Sequence, residues 1–386
     1  MIYLDNSATT RISEEALARY IEVSRMHFGN PSSRHAVGLD ARKILKESRD
    51  AILRSVGGDG TVIFGASGSE SDNLAIFGRA YAKERYRKGA KILTTAGEHA
   101  AVLQPLKKLE SEGFRVVFIP TVGGVPDREV LMRELTPDVI LVTVMAVNNE
   151  TGALYDLGLI SRMMRDRCPE AVLHTDATQS YTRVKLDAVR TGISMITMSS
   201  HKIEGPKGVS ALYVSKELMK QKGLSPLIYG GGQEENLRSG TENLPGIAAF
   251  ATAARIGIAR LEETAAHEAA LRARLLSLLR EDGALSEVRP VLPPVSAPHI
   301  LSLTLPSIKS EVMLNYLSAR GICVSSGSAC SSHDKHLSSA LLAFGLSERE
   351  ADCTIRVSLG RENTEADIDA FGDALRDGVR TLARIR

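Results

Sequence analysis

The sequence of 386 residues contains no tryptophan, and aromatic residues make up only 4% of it. Its four cysteines (Cys168, Cys323, Cys330 and Cys353) include no CxxC pair, which argues against a structural zinc site and against a disulfide framework. No apolar run approaches the length of a membrane span, and a net charge of +2 gives no footprint for nucleic acid. The first residues lack the basic and apolar regions of a secretion signal. We expect a cytoplasmic protein with free thiols, no metal, and no direct contact with nucleic acid or membrane.

From about residue 14 to about residue 250, helical stretches alternate with short apolar runs that are bounded by turns. Short buried strands spaced by helices imply a largely parallel sheet that is covered by helices on both faces. The predicted strands are 62–64, 91–94, 115–119, 139–145, 172–175, 195–199 and 210–214. The predicted helices are 14–28, 39–56, 71–88, 101–112 and 158–167.

Beyond residue 246 the elements alternate less regularly. Because the chain exceeds what one hydrophobic core usually fills, we predict an α/β fold with two domains. A large domain of residues 14–250 would hold the mostly parallel mixed sheet. A smaller α+β domain would combine residues 1–13 with 251–386 and carry a cysteine-containing loop. Its predicted elements are a long helix, a strand, a helix, a strand and a closing helix: 247–280, 299–305, 311–320, 354–360 and 365–385.

The segment SSHKIEGPKG (199–208) is the most informative in the chain, because it delivers Lys202 from the end of an apolar run onto a glycine-rich turn. A desolvated lysine has a lowered pKa, which suits Schiff-base chemistry. Ser199 and His201 flank the lysine and could hold a phosphate beside its amine. A lone lysine after a strand is more often a surface residue, so the other motifs must support this interpretation.

Two further strand ends carry residues that suit a phosphorylated ring cofactor. The loop around Gly68 and Ser69 follows a predicted strand and begins a helix, where backbone N–H groups favour an anion. An ordinary helix cap would have the same sequence pattern. Asp176 ends another strand, and Gln179 follows three residues later. A carboxylate there could pair with the protonated nitrogen of a pyridine-type cofactor, or it could cap a helix.

Polar side chains at three other places are candidate ligands. The amides of Asn148 and Asn149 need partners, which a turn, a ring hydroxyl or a substrate carboxylate would supply. His99 could stack on a planar ring or serve as a turn residue. Arg356, in a strand-like run, is a candidate clamp for a carboxylate. In the glycine-rich stretch 230–243, Arg238 and Thr241 suggest contact with an anion across a subunit boundary.

The last candidate is a thiol. Cys330 lies among small polar residues in 325–332, which keep a nucleophile accessible, whereas the other three cysteines lie in or beside apolar runs and are interpreted as packing. His333 and His336 could favour its thiolate or could be solvated loop residues.

With these segments in this order, the chain resembles the NifS/IscS-like cysteine desulfurases of the class V aminotransferase superfamily. The matching segments run from end to end: YLDNSATT (3–10), GNPSSRHAVG (29–38), SESDNLAIFG (69–78), EHAAV (98–102), NNETG (148–152), HTDATQS (174–180), SSHKIEGPKG (199–208), GGGQEENLRSGTEN (230–243), SSGSACSS (325–332) and IRVSLG (355–360).

The resemblance implies a homodimer of fold-type I that depends on pyridoxal 5'-phosphate. Lys202 would hold the cofactor covalently, Asp176 would pair with its ring nitrogen, Gln179 with its hydroxyl, and His99 would stack on the ring. Asn149 and Arg356 would hold the carboxylate of the substrate. The implied cofactor-binding residues are Gly68, Ser69, His99, Asn149, Asp176, Gln179, Ser199, His201, Lys202 and, from the partner subunit, Thr241.

The implied reaction converts L-cysteine to L-alanine and leaves the sulfur on Cys330 as a persulfide. An acceptor protein would then take the sulfur for iron–sulfur cluster assembly or tRNA thiolation. Three segments depart from the family pattern: the phosphate loop reads ASGSE where SGATE is common, Glu204 replaces an aromatic residue or histidine, and no Pro-Ser element follows the cysteine. A lyase for selenocysteine or cysteine sulfinate, a plain transaminase and a non-catalytic scaffold are the competing interpretations.

Overall fold

The computed structural model describes residues 1–82, 89–326 and 337–382, which form a seven-stranded and a four-stranded sheet with separate hydrophobic cores, and two sheets of two short strands each. In chain order the strands are β1 (Ile2–Tyr3), β2 (Thr61–Gly65), β3 (Lys91–Thr95), β4 (Arg115–Ile119), β5 (Thr121–Val122), β6 (Val125–Pro126), β7 (Val139–Met145), β8 (Val172–Asp176), β9 (Met195–Ser199), β10 (Ser210–Val214), β11 (Arg289–Val291), β12 (Ile300–Thr304), β13 (Ile322–Cys323), β14 (Ser325–Ser326) and β15 (Thr354–Ser358).

The described helices lie mainly on the faces of the two larger sheets. In chain order they are α1 (Glu14–Met26), α2 (Ala36–Ser55), α3 (Gly68–Ala80), α4 (Ala100–Ser111), α5 (Arg128–Glu134), α6 (Leu157–Arg167), α7 (Ala188–Thr191), α8 (Lys216–Lys220), α9 (Leu244–Ala259), α10 (Leu261–Glu281), α11 (Ser310–Ser318), α12 (Ser339–Phe344), α13 (Glu348–Asp352) and α14 (Glu365–Leu382).

The larger sheet has seven strands in the order β2-β10-β9-β8-β7-β3-β4. Neighbours from β4 to β9 pair in parallel, and β10 runs antiparallel to both β9 and β2. Every residue of β7, β8 and β9 is buried, which is why these strands read as continuous apolar runs in the sequence. The predicted α/β fold with a mostly parallel mixed sheet is therefore confirmed.

The smaller sheet, β11-β12-β15-β14, is antiparallel. The first residues of the chain join this part of the molecule, because β1 pairs with β13 and Asp5 bridges to Ser358. We call the elements around the seven-stranded sheet the large-sheet part, and the four-stranded sheet with α10, α11 and α14 the small-sheet part. The domain boundaries at residues 13 and 250 stay a prediction.

The prediction of one long helix over 247–280 is wrong. The segment forms α9 and α10, which meet at an angle of 70° because the backbone of Arg260 leaves the helical conformation. α9 packs against α1 and α2 in the large-sheet part, whereas α10 packs against α14. No single described helix is long and apolar enough to cross a bilayer. Among the described helices, only this bent pair, taken together, has the length and composition for it.

The predicted helix over 71–88 also differs from the structure. α3 begins earlier, at Gly68, because Ser67 caps it by accepting a hydrogen bond from the backbone N–H of Glu70. The helix ends at Ala80. The final part of the prediction, 83–88, lies outside the described residues. The earlier start puts the N-terminus of α3 beside the carboxyl ends of β8 and β9, where the candidate site lies.

Candidate active site

A cavity of about 500 Å³ opens at the carboxyl ends of β7, β8 and β9. The N-terminus of α3 closes one end, and β14 and β15 of the small-sheet part close the other. The predicted site residues that line this cavity are Gly68, Ser69, His99, Asn149, Asp176, Gln179, Ser199, His201, Lys202 and Arg356.

Among the described residues that were predicted to bind the cofactor, Thr241 does not line this cavity. Thr241 lines a separate space of about 120 Å³ with Phe64 and Arg238. Arg238 pairs with Glu70 of the same chain, with Nε 2.8 Å from Oε1. Cys330 lies outside the described residues, as do His333 and His336. Ser325 and Ser326 of β14 line the cavity, so the described chain approaches the site just before that segment.

Lys202 ends a short 3-10 turn that directly follows β9. Its Nζ donates to the carbonyl oxygens of Ser7 and Ala8, the latter at 2.8 Å. Gln179 Nε2 donates to the same Ser7 oxygen at 3.0 Å, and Thr10 Oγ1 donates to the carbonyl of His201 at 3.0 Å. The N-terminal segment therefore crosses the lysine turn and fixes its amine.

The end of the cavity at α3 is suited to an anion. Ser199 Oγ is buried and has no hydrogen-bond partner among the described residues. A Cβ placed on Gly68 would lie 3.6 Å from Ser199 Cβ and 3.4 Å from Thr178 Oγ1, so these hydroxyls gather at the helix N-terminus. Burial, with nearby Lys202 and Lys207, lowers the pKa of His201 to about 4. A helix N-terminus with free hydroxyls is a common phosphate site.

The floor of the cavity holds several buried acids. Asp176 Oδ1 accepts from the backbone N–H of Thr178 at 2.9 Å, so it ends β8 as a turn cap and also faces the cavity. Asp72 of α3 is buried, and its Oδ1 lies 3.7 Å from His174 Nε2. Burial and the neighbouring Asp176 raise the pKa of Asp72 well above its usual value. Burial lowers the pKa of His174 to about 4.

Beside this floor, Glu98 and His99 follow β3. The Glu98 carboxyl accepts from Thr95 Oγ1 at 2.7 Å and from the backbone N–H of Met145 at 2.8 Å. Burial raises its pKa to about 8. His99 caps α4 through Nδ1, which accepts from the backbone N–H of Ala101 at 3.1 Å, and burial lowers its pKa. The cap assigns the proton of the neutral imidazole to Nε2.

The opposite rim carries Arg356. Its Nη2 donates to Asp5 Oδ1 at 3.0 Å and its Nη1 to the carbonyl of Asn149 at 2.8 Å. Asn148 serves the turn instead of the cavity, because its Oδ1 accepts from the backbone N–H groups of the two residues after Asn149. Glu150 lines the cavity and accepts from Ser338 Oγ at 2.5 Å, and burial raises its pKa to about 7.

Sequence reasoning missed several cavity residues: Asp5, Ser7, Asp72, Glu150 and Thr178. Each lies beside or within a segment that the family resemblance had already marked, such as YLDNSATT and NNETG. That proximity was the signal that could have found them. Among the described residues, no group of His, Cys, Asp or Glu side chains could hold a metal ion.

The sequence matches the aminotransferase class-V family over residues 2–371. It is 37% identical to cysteine desulfurase IscS 1 of Archaeoglobus fulgidus over 386 residues, which covers 99% of this chain and 98% of that protein. It is 35% identical to cysteine desulfurase IscS of Klebsiella pneumoniae over 395 residues, covering 100% of this chain and 94% of that one.

Solved structures agree with these sequence matches. A NifS-like protein superimposes with a TM-score of 0.90 at 33% identity, over 99% of this chain and 100% of that one. SspA, solved in complex with cysteine, superimposes with a TM-score of 0.80 at 29% identity, over 94% of this chain and 100% of that one. The chain therefore belongs to the aminotransferase class-V family, among its NifS/IscS-like cysteine desulfurases.

Proposed function

We propose that this cysteine desulfurase uses pyridoxal 5'-phosphate held by Lys202 to convert L-cysteine to L-alanine, and that Cys330 takes the sulfur. The observation that carries the proposal is one cavity that joins the Lys202 amine, an anion-binding helix end and the Asp176 carboxyl. Enzymes of this family depend on pyridoxal phosphate in general.

The residues present fit that cofactor. The unpartnered Ser199 hydroxyl and the α3 N-terminus would bind its phosphate, together with Gly68, Ser69 and His201. Asp176 would face its ring nitrogen, Gln179 its hydroxyl, and His99 its ring face. When bound, pyridoxal phosphate supplies an electron sink that acidifies the substrate Cα–H and weakens the Cβ–S bond.

The chain's own groups then bind the substrate and move its protons. Arg356 and Asn149 would hold the substrate carboxylate, because they lie at the rim opposite the phosphate end. Lys202 Nζ would take the proton from Cα, since the Ser7 and Ala8 carbonyls hold this amine inside the cavity. In the balanced reaction, L-cysteine and the Cys330 thiol give L-alanine and a Cys330 persulfide. The Cβ–S bond breaks, an S–S bond and a Cβ–H bond form, and the two electrons that reduce Cβ come from the substrate sulfur and the Cys330 sulfur, which are each oxidised by one level.

An acceptor protein would then remove the sulfur, for iron–sulfur cluster assembly or tRNA thiolation. A homodimer is part of the proposal, in which Thr241 would complete the partner's phosphate site. Exposed apolar side chains support it: Met26 is 70%, Phe28 73% and Tyr229 79% exposed in the single chain.

Lys202→Ala is the direct test. The variant should purify without covalently bound cofactor and release no sulfide from cysteine and reductant. Lys207→Ala is the matched control, because Lys207 is exposed five residues further on and should behave as the wild type. Borohydride reduction and mass spectrometry of the wild type should place the cofactor adduct on Lys202. An adduct on another lysine, or sulfide release at the wild-type rate by Lys202→Ala, would refute the proposal.

A second test separates this reaction from that of a selenocysteine or cysteine sulfinate lyase. Cys330→Ala should abolish sulfide release from cysteine, whereas those lyase reactions depend less on a nucleophilic thiol and should largely survive. After incubation with labelled cysteine, the wild type should carry labelled sulfur on Cys330. Label on Cys323 instead would contradict the choice of nucleophile.

A further inference from the structure

Two ion pairs join the large-sheet and small-sheet parts behind Lys202. The Glu204 carboxylate accepts from Arg361 Nε at 2.8 Å and also from Arg361 Nη2. Arg183 Nη1 lies 2.9 Å from Glu268 Oε1. We call them crossed ion pairs, because each part of the molecule contributes the arginine of one pair and the glutamate of the other. A single small cavity is lined by Arg183, Glu204 and Arg361 together, so the two pairs belong to one interface.

The first pair connects the two ends of the candidate substrate site. Glu204 lies two residues after Lys202, and Arg361 lies five residues after Arg356 on the segment that leaves β15. The bidentate contact therefore ties the turn that carries the amine to the strand that carries the guanidinium. Arg–carboxylate pairs of this kind fix orientation as well as distance.

Backbone geometry shows that Glu204 is held in place firmly. Its φ of 65° lies in the left-handed region, which residues other than glycine seldom adopt. Its N–H donates to Thr10 Oγ1 at 2.7 Å, and its carbonyl accepts from the N–H of Ser13 at 2.9 Å. A strained conformation persists only where surrounding contacts determine it. Here those contacts are the N-terminal segment and Arg361.

The second pair lies deeper in the same interface. Glu268 of α10 is fully buried, and burial raises its pKa to about 7 while Arg183 opposes that rise. Arg183 follows Thr182, which also has a positive φ of 62°, and lies four residues after Gln179. Removing one member of a buried pair leaves an uncompensated charge, so this pair is expected to be essential for folding.

We propose that Glu204 and Arg361 are positioning residues that set the distance between Lys202 and Arg356. The inference rests on the proposed function, because those two residues define the ends of the substrate there. The side chains of Glu204 and Arg361 are about one-fifth exposed, whereas Glu268 in the second pair is fully buried, so water can reach this pair more easily when it is broken. The predicted effect is on substrate binding, with the cofactor site intact.

The test is a double-mutant cycle on the holoenzyme with Glu204→Gln and Arg361→Met. Each single variant should raise KM for cysteine at least roughly tenfold, while kcat and the absorbance of the bound cofactor change little. The double variant should be no worse than the worse single variant, because the same contact is lost. Arg289→Met is the matched control: it breaks an Arg–Glu pair between β11 and Glu350 of α13 and should leave KM unchanged.

Amide hydrogen exchange gives a readout that does not depend on turnover. Glu204→Gln should speed exchange in residues 200–206 and 357–361, and Arg289→Met should not. If Glu204→Gln does not fold, Glu204→Asp can replace it, because it keeps the charge on a shorter side chain. It should show a smaller rise in KM and a smaller increase in amide exchange. Unchanged KM and exchange in both single variants would overturn the proposal. If the wild type released no sulfide, the proposed function would fail, and the exchange data would still test the ion pair.

Discussion

The floor and the rim of the cavity are built from opposite kinds of side chain, acids in the floor and cations around it. The floor comes from the large-sheet part and presents the acids Asp72 of α3 and Asp176 at the end of β8, with Glu98 buried beside them. The rim carries the cations Lys202 and Arg356, whose donors are held by backbone carbonyls and by a carboxylate. A ligand that is positive at its ring nitrogen and negative at its outer carboxylate is complementary to both. The cavity is therefore complementary to a ligand with a positive and a negative end, in addition to fitting its shape.

The two regions also differ in how their ionisable groups are compensated. The floor acids lie in a low-dielectric environment, so burial raises the pKa of Asp72 and of Glu98. Arg356 in the rim is buried as well, but its guanidinium is hydrogen-bonded to Asp5 and Asn149, so its function depends on geometry. Substitutions in the floor should therefore act through charge and those in the rim through orientation.

The largest effect should come from Asp176→Asn. It removes the floor carboxylate that would face the ring nitrogen of the proposed cofactor, and kcat/KM for cysteine should fall by about 10²–10⁴. Asp72→Asn is the matched control, because burial and the neighbouring Asp176 raise the pKa of Asp72 well above its usual value, which favours the neutral acid that an amide resembles. Steady-state kinetics should show Asp72→Asn within about fivefold of the wild type. Equal damage from both changes would mean that Asp72 is ionised in the floor.

The next largest effect should come from Arg356→Lys in the rim. The change keeps the charge but loses the planar fork, so KM for cysteine should rise roughly 10- to 100-fold with a smaller loss of kcat. Asp5→Asn leaves the guanidinium in place and removes only its carboxylate partner, so its KM should rise less. If Arg356→Lys lowered kcat and left KM unchanged, Arg356 would not be a ground-state clamp.

Much of this arrangement could be predicted from the sequence, for a physical reason. β7, β8 and β9 are buried on both faces, so each appears as an apolar run with polar residues at its carboxyl end. Asp176 and Lys202 could therefore be predicted directly from the polar residues that end or follow these strands. The helix break at Arg260 could not be found this way, because helical periodicity continues across it and only packing against different cores bends the chain.

The buried titratable side chains could not be predicted as a group either. Asp72, Glu98 and His174 come from α3, the end of β3 and the middle of β8, and only the folded sheet brings them under one cavity. Each separately looks like an ordinary polar residue. The crossed ion pairs behind Lys202 are hidden for the same reason, since their members are far apart in the chain.

The floor also predicts a pH dependence of stability, measurable on protein freed of cofactor. Because the pKa of Glu98 is about 8 in the folded state and near 4.5 when unfolded, its stabilising contribution is complete below pH 4.5 and is lost as pH rises through 8. Glu98→Gln cannot ionise, so its free energy of unfolding should fall less between pH 5 and pH 8. The difference should be roughly 1.4 kcal/mol per pH unit at most. Parallel denaturant-derived curves would show that Glu98 does not titrate on unfolding.

The smallest effect is expected where the rim meets α12. Ser338 Oγ donates to Glu150 Oε2 and accepts from the backbone N–H of Leu341, so it joins the cavity to the helix that it caps. Ser338→Ala loses both contacts and should lower the free energy of unfolding by about 1 kcal/mol, the usual value of a helix cap. Glu150→Gln keeps an acceptor for the hydroxyl and should lower the free energy of unfolding less.

Because Ser338 is the second described residue after the segment that contains Cys330, a loss of persulfide formation larger than the loss of stability explains would show that the contact supports sulfur transfer. A larger stability loss in Glu150→Gln than in Ser338→Ala would instead place the dominant interaction on the rim charge, between Glu150 and the nearby Arg356.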